Sequence, residues 1–95
     1  MPKTDSDKKV MQIKVDDKVL QGVYSNAMRV QYSKEEFVID FLNIFPHVGT
    51  LNARIIVTPG HLKRLIAALS DNMSKYERNF GNIDPAQQPG DIELI

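Results

Sequence analysis

A lone carboxylate interrupts an apolar run. Asp40 lies within Phe37-Val38-Ile39-Asp40-Phe41-Leu42, where its neighbours alternate as in a half-buried strand. If Ser33-Lys34-Glu35-Glu36 is the loop of a hairpin, Tyr32 faces Phe37, Val30 faces Ile39 and Met28 faces Phe41. The same register sets Arg29 opposite Asp40, so apolar matching and charge matching agree, and a one-residue slip would destroy both. Arg54, on the next alternating stretch, falls on the Asp40 face and diagonal to it. An Arg29–Asp40–Arg54 cluster can fix strand register or an oligomer face. It can also hold two guanidiniums ready for an anion. General acid or base work is not expected of Asp40, because no second carboxylate or histidine is placed beside it.

Other chemistries find little support. The chain has no Cys, so thiol nucleophiles and thiolate metal sites are excluded. His47 and His61 are the only histidines, one in a loop and one in a helical first turn, without a third ligand; no metal and no cofactor is expected. His61 with Lys63 and Arg64 near a helix start could form a small anion site, although surface solvation accounts for them. Serines 6, 25, 33, 70 and 74 lack the context of an activated nucleophile, and the glycines are scattered rather than gathered into a phosphate loop. No catalytic set emerges, so an enzyme is not expected. The formal net charge is zero, and between Val10 and Gly81 nine Lys/Arg stand against seven Asp/Glu. A nucleic-acid binder usually carries a strong basic excess. Binding of nucleic acid or an anion through Arg29, Arg54, Lys63 and Arg64 is therefore the alternative reading rather than the first.

The elements that position these residues follow from periodicity. Met11, Ile13 and Val15 alternate with polar residues and suggest a first short strand. Tyr24 to Tyr32 and Phe37 to Phe45 form the hairpin, and the same register has Asn26 facing Asn43 and Tyr24 facing Phe45. Leu51 to Val57 reads as a fourth strand, with Ala53, Ile55 and Val57 on the Phe37 face and Arg54 and Ile56 on the Asp40 face. Thr58-Pro59 starts a helix, because Thr can cap it and Pro loses no needed donor there. Gly81, just past Phe80, stops it. The expected fold is α+β: a four-stranded antiparallel sheet followed by one long amphipathic helix.

Along that helix Leu62, Ile66, Leu69, Met73, Tyr76 and Phe80 lie within about 40° of one line. Leu65 widens the stripe, while Lys63, Arg64, Asp71, Lys75 and Arg78 take the opposite half. A helix of this length, about 33 Å, exceeds the width of a four-stranded sheet. The Tyr76–Phe80 end of the stripe should overhang even if the rest packs on the Phe37/Ile39/Phe41 face. Val38, Leu42, Ile44 and Ile56 leave the reverse face partly apolar as well. Surplus apolar surface on a small domain implies self-association. Leu69, Met73, Tyr76 and Phe80 are the expected interface with a second copy, or with another protein. The tyrosines and phenylalanines, by their spacing, are packing residues rather than a base-stacking platform.

The 95 residues make one domain. Residues 1–9 are polar and expected to be disordered, 10–81 form the domain, and 82–95 are a flexible acidic tail. Asp91-Ile92-Glu93-Leu94-Ile95 mixes acids with aliphatics, a composition that suits docking. No apolar run approaches a membrane span and no secretory signal is visible, so a cytoplasmic protein is expected.

Several stretches resemble a known family. Gly22-x-Tyr24-x-Asn26, Glu36-Phe37-x-Ile39-Asp40-Phe41, Arg54 followed by Thr58-Pro59-x-His61-x-Lys63, and Tyr76-Glu77-x-x-Phe80-Gly81 are similar to the small bacterial domain-of-unknown-function family 3467. The likeness covers roughly Gln12 to Ile83 and implies one compact domain without an assigned activity. A more distant likeness is architectural. An antiparallel sheet followed by a long helix looks like the SecB-type export chaperones, whose second helix has no counterpart here; this is fold-level analogy.

Overall fold

The computed structural model describes residues 10–95; the expected disorder of residues 1–9 lies outside them. In chain order the elements are α1 (Asp17–Gln21), β1 (Ala27–Tyr32), β2 (Phe37–Ile44), β3 (Gly49–Val57) and α2 (Pro59–Phe80). The strands form one antiparallel sheet in the order β1-β2-β3. The α+β class and the long C-terminal helix match the sequence reading. The strand count does not: there are three, and Met11–Val15 is not among them.

Alternation in that segment marks residues that suit a strand, but supplies no edge to pair with. Met11, Ile13 and Val15 stay exposed. Just beyond them Asp16 acts as an N-cap, its side chain accepting from the Lys18 N–H at 2.9 Å. That cap turns Asp17–Gln21 into one short helical turn rather than a hairpin loop. Gly22, at φ +79°, ends it in backbone that other residues rarely adopt.

The hairpin register is as expected from Tyr32↔Phe37 through Arg29↔Asp40 to Met28↔Phe41. Ser33 N–H donates to Glu36 C=O at 2.9 Å and closes the loop. Pairing ends one residue beyond, at Ala27↔Leu42. The expected Asn26–Asn43 and Tyr24–Phe45 pairs give way to side-chain bonds. Asn26 takes the Ile44 N–H on Oδ1 at 2.8 Å and gives Nδ2 to the Ile44 carbonyl at 3.0 Å, so one amide side chain imitates a strand backbone. Between β2 and β3 the register shifts by one after Phe41↔Ala53, so Leu42 faces Leu51 and Asn52 is the bulged residue. Asn52 Nδ2 donates to the Tyr24 carbonyl at 2.6 Å and holds the chain leading into β1.

Helix α2 begins and ends where the sequence places it. His61 N–H donates to Thr58 Oγ1 at 3.2 Å, and Gly81, at φ +96°, closes the C-terminus with its N–H on the Glu77 carbonyl at 2.8 Å. Lys75 and Asp71 pair one turn apart at 3.1 Å. Yet α2 contains no buried residue. The expected packing of its stripe on the Phe37/Ile39/Phe41 face does not extend along the helix: Leu62 and Leu65 are half-buried, but the stripe from Ile66 to Phe80 is exposed, so the exposed part is not confined to the Tyr76–Phe80 end. The radius of gyration is 17.8 Å, against about 12 Å for a compact domain of this length. The buried apolar residues, Ala27, Ile39, Leu42 and Val57, all belong to the sheet.

Candidate functional site

The register brings the charged cluster together. Asp40 faces Arg29 across β1–β2 and, directly rather than diagonally, Arg54 across β2–β3. Arg54 donates Nε to Oδ1 at 2.6 Å and Nη2 to Oδ2 at 3.0 Å, a forked pair that matches the planar carboxylate. Asp40 is 1% exposed, the least accessible residue of the core, whereas the Arg54 side chain keeps 45% of its surface in water. The Arg54 guanidinium holds the Asp40 carboxyl below the usual carboxylate range. Burial opposes this shift, and the charges of Arg54 and Arg29 reinforce it. Arg29 is half-buried; among the described residues the ion pairs are Arg54–Asp40 and Lys75–Asp71.

A groove of about 940 Å³ opens over this cluster. Met28, Arg29, Gln31 and Arg54 form its floor, and the chain from Gln88 to Leu94 forms its wall. A second hollow, of about 450 Å³, lies on the far side of the same segment, against Leu42, Phe45, His47 and Leu51. The C-terminal segment therefore crosses the Asp40 face as a strap, without being helix or strand. Its anchor is Gln88. The Met28 N–H donates to Gln88 Oε1 at 2.8 Å, and Gln88 Nε2 donates to the Met28 carbonyl at 2.8 Å. Because Ser33 and Glu36 are a bonded pair, alternation turns the N–H and C=O of Met28, Val30 and Tyr32 away from β2. Gln88 thus fills one position of the open β1 edge, as Asn26 does at the β1–β2 end. Leu42, 4% exposed, borders the hollow on the far side of the strap.

Sequence reasoning located the acid–aliphatic run of residues 91–95 but not the strap. The signal was there only in part. A glutamine side chain carries a donor and an acceptor spaced like a peptide unit, but nothing in the sequence says which strand edge it will meet.

The expected interface residues stand together on α2. Leu69, Met73, Tyr76 and Phe80 are 63, 47, 46 and 74% exposed. Tyr76 and Phe80 contact each other, with ring centroids 5.0 Å apart, and meet nothing from the sheet that buries them. The remaining candidates are dispersed. Arg64 Nη2 lies 3.1 Å from His61 Nδ1, and neither residue lines the groove of Arg29 and Arg54. His47 borders the smaller hollow. No group of three or more His, Asp or Glu among the described residues could hold a metal ion, and no helix among them is long and apolar enough to cross a membrane.

One comparison with known proteins is positive. The family described as "Protein of unknown function (DUF3467)" matches residues 1–85. No curated protein and no solved structure matches the chain.

Proposed function

The chain belongs to the DUF3467 family, and we propose that it acts there without catalysis, as a homo-oligomeric protein-binding domain whose copies join along α2. The observation that carries this reading is the unburied stripe. A well-capped helix of 22 residues presents Ile66, Leu69, Met73, Tyr76 and Phe80 to water. In proteins most of a helix's stability comes from packing its apolar face rather than from intrinsic propensity. A second copy offers the same stripe, and a two-fold pairing of identical faces is the commonest way to cover one. Met73 lends the surface adaptability, which suits binding of varied apolar segments.

Chaperone-like holding of other proteins is one form of this reading. The SecB-type arrangement enters as analogy, with three strands in place of four. Binding of nucleic acid is the weaker alternative, since Lys63 and Arg64 lie outside the arginine groove and Arg54 is already engaged by Asp40.

Sedimentation equilibrium of the full chain tests the proposal. The expected result is an assembly of at least twice the 10.8 kDa chain mass. In L69E/M73E the mass should fall to that of one chain while strand signals persist. A wild-type monomer at tens of micromolar overturns it.

A further inference from the structure

We propose that the Asp40 face is a docking groove for an extended acidic–aliphatic peptide segment of another protein, and that the chain's own C-terminal strap is its resident stand-in. The inference rests on the protein-binding half of the reading above and not on assembly through α2.

Charge and chemistry of floor and strap are complementary. The floor carries Arg29 and Arg54 against the single carboxylate of Asp40, a surplus of one positive charge; the strap brings Asp91 and Glu93. Apolar contacts alternate with these charges. Ile92 is partly buried and Leu94 is 36% exposed, and both border the two hollows that flank the strap. The backbone edge adds a third component, because Met28 offers an N–H and a C=O that a peptide unit could take in place of the Gln88 amide. An occupant of stated chemistry follows: an extended segment with carboxylates at alternate positions, aliphatic residues between them, and a backbone able to pair with the β1 edge.

The strap fills this groove poorly. Asp91 and Glu93 line it beside Arg29 and Arg54, yet neither closes to an ion pair. Gln88 satisfies one position of β1, while Val30 and Tyr32 turn their backbone groups outward beyond it. About 940 Å³ of the groove stays open beside the strap. The strap is held by the Gln88–Met28 bonds, and its tether strengthens that hold. The segment from Gly81 to Gln87 links it to the end of α2, and a short linker gives an effective concentration in the millimolar range. A free segment that closes the arginine pairs and extends along β1 therefore displaces it.

The test uses the full-length chain and a fluorescent peptide of residues 88–95, read by anisotropy at low salt. The strap is weakened in place by Q88A/I92A. The peptide should bind this variant at least tenfold more tightly than wild type, because the tethered competitor is weakened. Adding R29Q should remove most of that binding, as should a peptide in which both acids are replaced by amides. Amide spectra of the weakened variant keep the result interpretable: the Met28 resonance should shift on titration while those of α2 stay fixed.

Equal binding to wild type and Q88A/I92A overturns the proposal. So does competition by an octathymidylate as effective as the unlabelled peptide, which would reduce the groove to a charge patch for nucleic acid. A fall in assembly mass on weakening the strap would also sink it, since the strap would then belong to an exchange between copies. Loss of self-association in L69E/M73E with peptide binding intact would separate the fate of this groove from that of α2.

Discussion

The sheet and α2 differ in what holds them. In the sheet every strand has a partner, the buried apolar residues cluster there, and side-chain amides take up the backbone at Met28 on the β1 edge and at Ile44 at the start of the hairpin. Helix α2 has its local signals in order, with the Thr58 cap, Pro59, the Asp71–Lys75 pair and the Gly81 stop, but no buried residue. Capping and periodicity define where a helix runs and which side is apolar. They do not supply what that side packs against.

The largest effect expected from this contrast concerns exchange of amide hydrogens. Amides between β2 and its neighbours should be protected to the same degree at low and high protein concentration. Those of α2 should gain protection steeply as concentration rises, by more than about tenfold across the association midpoint, because a lone helix opens readily. Protection of α2 that ignores concentration would mean the helix finds its cover within one chain.

Next in size is the buried acid. Asp40→Asn keeps the shape but removes the charge that both arginines face. The expected loss is about 1–2 kcal/mol, below the usual range for a broken buried pair because much of Arg54 remains in water. Denaturant unfolding monitored on the sheet measures it. The sign of the pH dependence follows from the lowered Asp40 pKa. Its contribution is complete above the ordinary value of 3.8 and is lost as pH falls through that value towards the folded-state one. The wild-type protein should therefore lose its advantage over the Asn variant in acid. An advantage that grows as pH falls would contradict the ion pair.

A smaller effect is expected at Thr58. Thr58→Ala removes the acceptor for the His61 N–H and should weaken α2 by about 1 kcal/mol. The loss should appear in α2 exchange and in the association constant, and leave the sheet amides unchanged. A matching loss in the sheet would show the two regions to be coupled.

These differences also explain what could be read from the sequence. The β1–β2 register was legible because two constraints coincide on it: a slip would bring Arg29 to the Phe37 face and separate it from Asp40. The limits of α2 were legible because Thr58 and Gly81 act on their own neighbours. The absent first strand was not, since the alternation of Met11, Ile13 and Val15 is compatible with pairing but does not create a free edge. Nor was the strap, because the Gln88–Met28 contact joins residues 60 positions apart. Local chemistry was readable; a choice among distant partners was not.

Asn43 offers the finest test of whether the sheet is complete. It lies opposite Thr50, and its Oδ1 is buried without a hydrogen-bond partner in the single chain. A buried carbonyl left unpaired is destabilising, and an apolar replacement of similar volume relieves it. If the sheet needs nothing from outside, Asn43→Leu should be neutral or stabilising by about 0.5 kcal/mol in the urea midpoint. If the variant instead destabilises by more than about 1 kcal/mol, and does so only at concentrations where the protein self-associates, the carbonyl accepts from a donor on a second copy. The sheet would then share the incompleteness of α2, and the division between a finished region and an unfinished one would move from the sheet–helix boundary to the boundary of the chain itself.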